Sequence, residues 1–433
     1  MKKFIQPPML AALAAALVLV VGLSAPADKP ALLAAGETVL TPAPSASYTH
    51  AASPTPTATP APDALVQTQA ASATLAPQPA ATPTASASPA PTATPTPDTA
   101  ISQGQTVKAL HINVYDRENL RALGDAAQKE LAPMGINTLI VEIDDRFQFQ
   151  SDPKISAGDI TADDARAFAK QVRDAGIDVI PLYNSLGHQG AGGQRNALLK
   201  AYPEFDETPD VPTDAGLPEF YTPAWCPSND AVYDVVLPAI DELVDAFGAT
   251  TFHVGMDEVF VMGKCEKCEE RSTAELFAAT AQRLHGHLQA RGVRMMMWGD
   301  RLLNSKDVRH TWEGSANGTD KAITMLPRDI IIADWHYEKG PYPSTGILLE
   351  AGYQRVLPAV WKDKHNALRF VRSAEAQAAK HDKESAVNGA IVTVWSVPPV
   401  RLDAVFHSPD KELNSAEEGL RDTLRAVLGE YKE

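Results

Sequence analysis

Eight short runs rich in Val, Ile and Leu recur along this chain, and helical patterning separates each from the next. They are VKALHINVY (107–115), NTLIVEI (137–143), DVIPLY (178–183), TTFHVGM (250–256), RMMMWG (294–299), DIIIADW (329–335), YQRVLPAV (353–360) and GAIVTVW (389–395). Near-continuous apolar runs of this length are what a parallel sheet covered on both faces requires. Helical periodicity is clearest in 162–175, 229–247, 272–290 and 365–380. Strand and helix alternating eight times within about 290 residues predict an α/β fold of the (β/α)8 barrel type. An open, doubly wound sheet is the competing arrangement, but the chain offers no G-x-G-x-x-G turn to support it. No cofactor is expected.

The barrel accounts for residues 107–433 of a chain of 433. Ahead of it, Lys2 and Lys3 precede the apolar stretch Met9–Leu23, and SAPA follows with small residues. This is the pattern of a signal peptide, taken here as residues 1–27, and the apolar stretch is short for a membrane span. A membrane association is expected only where that leader stays uncleaved. Residues 28–106 are dominated by Pro, Ala, Thr and Ser, as in ASPTPTATPAP, and read as a disordered spacer without core-forming side chains. The expected location is outside the cytoplasm: secreted, periplasmic or at the cell surface. A formal net charge of −16 argues against a nucleic-acid partner, because phosphate binding needs a basic surface.

A barrel of this kind places its chemistry where the chain leaves the C-terminal strand ends. Those ends carry Asp144 and Asp145, Asn184 and His188, Asp257 and Glu258, Trp298 and Asp300, Trp335, Trp361 and Asp363, and Trp395. Period-two alternation in the fourth strand puts His253, Gly255 and Asp257 on one face, with Asp257 toward the barrel axis and Glu258 over the mouth. Two adjacent carboxylates repel, so one can hold a proton for donation while the other stays charged. An isolated Asp-Glu pair is more often an ion pair or a helix cap; its place at a strand end favours acid chemistry. Four of the six tryptophans (Trp298, Trp335, Trp361 and Trp395) close strands five to eight. Each alone could be core, but together they offer flat apolar faces of the kind that stack on sugar rings. A carbohydrate is the partner these features expect.

The segment HVGMDEV resembles the H-x-G-x-D-E motif of family 20 glycoside hydrolases, the β-N-acetylhexosaminidases. WCPSNDAVYDVVLPAIDELVDAF is similar to the segment leading into that motif, and VEIDDRFQFQSDPKIS resembles the family's second-strand stretch. AGIDVIPLYNSLGHQG, MMMWGD and TVWSV are similar to the ends of strands three, five and eight. The likeness spans roughly 107–400, a whole barrel. It implies a retaining hydrolysis in which the substrate's own 2-acetamido oxygen attacks the anomeric carbon. By that resemblance Glu258 is the general acid and base, and Asp257 holds the acetamido N–H. His188 and His253 support the pair. Trp298, Trp335 and Trp395 wall the pocket, and Asp300, Trp361 and Asp363 are further sugar-contact candidates.

The chain also departs from the family pattern. Asn184 stands where an Asp is usual, strand seven carries Trp361 in place of a Tyr, and Val397 replaces a Glu that grips sugar hydroxyls. Arg117 is only a weak candidate for the strand-one Arg. The proton-transfer residues are thus kept more fully than the sugar-recognition ones. Two readings follow, a secreted β-N-acetylhexosaminidase and a non-catalytic or weakly active carbohydrate-binding barrel. A metal hydrolase built on His188, His253, Asp257 and Glu258 lacks the H-E-x-x-H type of spacing. Cys226, Cys265 and Cys268 are left open between a disulfide with one thiol over and a structural zinc site, since one C-x2-C alone decides neither.

Overall fold

The computed structural model describes residues 105–191, 194–209 and 223–431. The expected leader (1–27) and nearly all of the expected spacer (28–106) lie outside the described residues.

Eight parallel strands close into a barrel in which each strand pairs with its neighbours in sequence and the last pairs with the first. They are β1 (Val107–Asn113), β2 (Thr138–Glu142), β3 (Asp178–Ser185), β4 (Thr251–Gly255), β5 (Arg294–Trp298), β6 (Ile331–Trp335), β7 (Arg355–Val360) and β8 (Gly389–Val394). The sequence places all eight within three residues at either end. The four strongest helical patterns are the helices Ala162–Asp174, Asp230–Phe247, Thr273–Ala290 and Lys364–Lys380. Their boundaries have local causes. Thr161 and Asp164, like Ser272 and Glu275, form reciprocal capping boxes that satisfy the first free amides, and Gly248 ends its helix in the left-handed conformation.

The strands read as unbroken apolar runs because they feed two separate cores. Inside the barrel, Val107, Ala109, Ile140, Ile180, Leu182, Met296, Trp298, Ile331, Ala333, Trp335, Leu357, Ala359 and Ile391 pack together. The alternate residues, such as Leu110, Ile112, Leu139, Val141, Val179, Ile332, Val356 and Val392, face the helices. Period-two pleating thus sends each strand's side chains into one core or the other. Closure is tight where the first strand meets the last. Val107 pairs with Gly389, whose φ is +122°, and a Cβ there would lie 2.0 Å from the Val107 carbonyl oxygen. No helix among the described residues is long and apolar enough to cross a membrane.

Candidate active site

The fourth strand delivers the acid pair by a different route from the one alternation predicts. β4 ends at Gly255, and Gly255 and Met256 then adopt φ of +67° and +70°. Glyless alternation would carry Asp257 straight on; two left-handed residues instead fold the chain sharply across the mouth. A Cβ at Gly255 would lie 2.6 Å from Asn184 Oδ1, so β3 approaches here as closely as glycine allows. Met256 is driven into the outer core, and Glu258 takes a third left-handed conformation at φ +49°. Such conformations cost non-glycine residues energy and cluster at functional sites.

Asp257 and Glu258 meet over one imidazole. His188 Nε2 lies 3.3 Å from Asp257 Oδ2 and 3.3 Å from Glu258 Oε2. Burial disfavours the imidazolium, but the charges and contacts of Asp257 and Glu258 outweigh it and hold His188 well above its ordinary pKa. Burial likewise pushes Asp257 up, and the His188 cation more than offsets this, leaving Asp257 below the usual carboxylate range and ionised. His188 itself has φ +55°, so both sides of the contact are set by strained backbone.

Beneath the pair, His253 accepts the Gly255 amide on Nδ1 at 3.0 Å, which fixes the proton of the neutral ring on Nε2. Burial, then the neighbouring His111, lower its pKa to about 3. Its ring lies 4.6 Å from that of Trp298. His253 is therefore a neutral floor of the site.

The aromatic wall is continuous. Trp298 and Trp395 lie 6.0 Å apart with the His111 ring against both, and Trp335 lies 5.0 Å from Tyr337, which meets Trp361 edge-on at 5.4 Å. Trp312, from the loop after β5, packs on the same inner cluster.

Two residues expected at the sugar are engaged elsewhere. Asp300 is fully buried, with Oδ2 2.6 Å from Arg301 Nε and accepting the Glu258 amide at 3.0 Å. It holds the backbone of the acid residue rather than facing the mouth. Burial raises its pKa to about 6, against the lowering effect of Arg301. Asp363 is exposed and caps the helix Lys364–Lys380 by accepting the His365 and Asn366 amides. Arg117 is ion-paired to Asp164 at 2.9 Å and bonded to Asp159, so it too is occupied away from the pair. Val397 is buried in the outer core, so that position presents nothing to a ligand.

Other residues do what the sequence reading did not assign. Tyr337 places its hydroxyl 2.9 Å from Trp395 Nε1 and 3.1 Å from Thr393 Oγ1. The indole can only donate, and the Thr393 hydroxyl also reaches the Val360 carbonyl at 3.0 Å. Where Thr393 donates to the phenol oxygen, as the indole does, the phenol's own proton is left over for a ligand. Burial, with the Asp257 and Glu258 charges, raises the Tyr337 pKa and keeps it protonated. On the opposite side, Glu142 meets His111 Nε2 at 3.0 Å and Asn113 Nδ2 at 3.3 Å. Asn184 is gripped by Glu142 and Asp144, whose carboxyl is pushed up to about 8 by burial and the Glu142 charge. Tyr337 sits only two residues beyond Trp335 and Glu142 closes β2, both within reach of the strand-end rule; His111 lies inside β1, where nothing in the pattern marks it.

Comparison with known proteins gives this geometry a lineage. The model of "Glycosyl hydrolase family 20, catalytic domain" matches residues 126–398. A lacto-N-biosidase of Bifidobacterium bifidum is 24% identical over 268 residues, covering 58% of this chain and 20% of that protein. A chitobiase of Flavobacterium johnsoniae shares the fold at 19% identity and a TM-score of 0.52, covering 75% of this chain and 50% of the other. An exo β-N-acetylglucosaminidase of Vibrio harveyi, as an inactive mutant, does so at 15% identity and 0.52, covering 74% and 54%. The chain thus spans a fifth of the length of the curated relative and about half that of these solved structures. It belongs to glycosyl hydrolase family 20.

Proposed function

We propose that the protein hydrolyses β-linked N-acetylhexosamine, GlcNAc or GalNAc, by substrate-assisted catalysis with retention. The observation that carries this reading is the His188 ring shared at 3.3 Å by Asp257 and Glu258, beside the aromatic side chains of Trp298, Trp335, Trp395 and Tyr337. Glu258 takes up the proton of the His188 ring 3.3 Å away and gives it to the departing glycosidic oxygen. The carbonyl oxygen of the 2-acetamido group attacks the anomeric carbon from the other face and closes an oxazolinium ring. Asp257, ionised, accepts the acetamido N–H and balances the developing positive charge. Glu258 then takes a proton from the water that reopens the ring, so two inversions give net retention.

Tyr337 completes the acetamido clamp in this reading. Its phenol donates to the acetamido oxygen, the role left vacant where strand seven carries Trp361. Glu142 and Asp144, on the opposite side of the mouth, are the acceptors for sugar hydroxyls, in place of Val397 and Asp300.

Release of 4-nitrophenol from aryl β-N-acetylglucosaminide and β-N-acetylgalactosaminide tests the reading. Glu258→Gln should lower kcat by about 10²–10⁴-fold, the usual contribution of a positioned acid–base group. The matched aryl β-glucoside, which carries a hydroxyl in place of the acetamido group, should not be turned over. Equal rates on the two sugars would refute substrate assistance, and no release from either N-acetylated sugar would refute the reading as a whole.

A further inference from the structure

Three cysteines and one glutamate converge next to the acid-bearing loop, and catalysis uses none of them. Cys226 precedes the helix Asp230–Phe247, Cys265 and Cys268 lie in the turn that follows Glu258, and Glu207 comes from the β3–α connection. One ligand atom from each of the four lies within 4.8 Å of all the others. Cys226 Sγ is 3.2 Å from Cys265 Sγ and 3.5 Å from Cys268 Sγ. All three thiols are free.

Glu207 discriminates between a disulfide and a metal. It is 1% exposed, and its Oε1 accepts the Lys264 amide at 2.6 Å and the Cys265 amide at 3.4 Å. Its Oε2 is buried without a hydrogen-bond partner. A carboxylate oxygen cut off from water and from donors is costly unless a cation meets it. A disulfide that used Cys265 would leave that carboxylate unanswered, and any pair would strand the third thiol against the new bond. Cys226 stands nearly equidistant from the other two sulfurs, so no pair is singled out. Sulfurs around a tetrahedral zinc with Zn–S bonds of about 2.3 Å lie about 3.8 Å apart, whereas a disulfide needs about 2.0 Å. The observed separations are nearer the first arrangement.

We propose that Glu207, Cys226, Cys265 and Cys268 form a tetrahedral site for a zinc ion that fastens the acid-bearing loop to the preceding βα connection. Three soft sulfur ligands favour zinc over calcium or magnesium, and four protein ligands leave no open position, as in a structural site. Supporting contacts are in place. Ser228 Oγ lies 3.2 Å from Cys268 Sγ and receives Arg271 Nη1 at 3.0 Å. This inference rests on these four clustered side chains and is independent of the proposed sugar chemistry.

The full chain, purified without chelator, is measured by elemental analysis and by thiol titration after denaturation. About one zinc per chain and three titratable thiols are expected. Replacement by cobalt should bring the thiolate-to-cobalt charge-transfer absorption of a tetrahedral sulfur site. Glu207→Gln leaves the thiols in place and should weaken zinc by about 10–100-fold or more in chelator competition. Circular dichroism of each form guards against loss of fold. One titratable thiol per chain would establish a disulfide and overturn the proposal. Three thiols with no metal after dialysis against zinc would overturn it equally. Unchanged zinc affinity in Glu207→Gln would remove the carboxylate and refute the four-ligand site.

Discussion

Replacing Arg301 with Met isolates what holds the acid residue in place. Arg301 and Asp300 are both buried, and their contact of 2.6 Å is one of four that the guanidinium makes or supports. Its Nη2 donates to the Trp312 and Gly314 carbonyls at 2.8 and 2.9 Å, and its plane lies 4.9 Å from the Phe260 ring. Met fills a similar volume but leaves Asp300 charged and unpaired. Breaking a buried pair in this way costs about 3–5 kcal/mol, a large share of the 5–15 kcal/mol that a domain typically has. The penalty should vary with pH. Asp300 already has a folded pKa of about 6, and removing the guanidinium raises it further. A raised folded pKa means the native state binds the proton more tightly, so the stability difference from wild type should widen as pH rises from 5 to 8. Asp300→Asn in the same chain removes the stranded charge yet keeps an acceptor for the Glu258 amide. The double variant should therefore be more stable than Arg301→Met, with a coupling of about 1–3 kcal/mol. Urea unfolding followed by tryptophan fluorescence, at pH 5 and pH 8, measures all three chains. An Arg301→Met chain within about 1 kcal/mol of wild type at pH 8, or a double variant no more stable than the single one at that pH, would refute the reasoning.

Tyr337→Phe should lower kcat on an aryl β-N-acetylglucosaminide by about 10–100-fold and destabilise the fold by about 1–3 kcal/mol, because the Trp395 indole N–H loses its acceptor. Steady-state kinetics and urea titration read the two effects separately, and a variant matching wild type in kcat would remove the phenol from the acetamido clamp. His336, buried between Glu313 and Asp334, has its pKa raised to about 10 by those two carboxylates against the effect of burial. Its stabilising charge is complete below the unfolded value of about 6.5 and is lost as pH climbs through about 10. The melting temperature of wild type should thus fall more steeply between pH 7 and 10 than that of the less stable His336→Met, and equal slopes would contradict this. Gly255→Ala should cost about 1–3 kcal/mol, since φ is +67° and the new methyl meets Asn184 Oδ1 at 2.6 Å. Thermal denaturation checks it, and an unchanged midpoint would mean that β3 and β4 can separate freely.

The barrel was legible because both faces of every strand are buried, which writes each strand as an apolar run that local sequence alone reveals. The acid pair was legible for a related reason: Asp257 and Glu258 interrupt such a run at its end. How the pair is presented was not. The left-handed turn through Gly255 and Met256 is imposed by β3 packing against it, and Met256 carries no turn signal. His111 and Glu142 look like ordinary polar residues in strands until closure brings them face to face. Asp300 and Asp363 stand at strand ends as the rule requires, yet one finds Arg301 and the other a helix amide first. Glu207 was beyond reach, because it lies 58 residues from Cys265 and no spacing motif joins them.

The pairing of Val107 with Gly389 has a kinetic side. β1 leaves the ribosome first and one of its edges has no partner until β8, 282 residues later by the neighbouring Thr106–Asn388 contact, has been made. At ordinary synthesis rates that interval is on the order of tens of seconds. Throughout it, the nascent sheet carries an apolar edge open to other chains. A fragment stopped short of Gly389 would keep that edge permanently, so late truncations should aggregate rather than yield a smaller folded barrel. The final strand supplies few site residues, but it ends the period in which the chain is most exposed to its own copies.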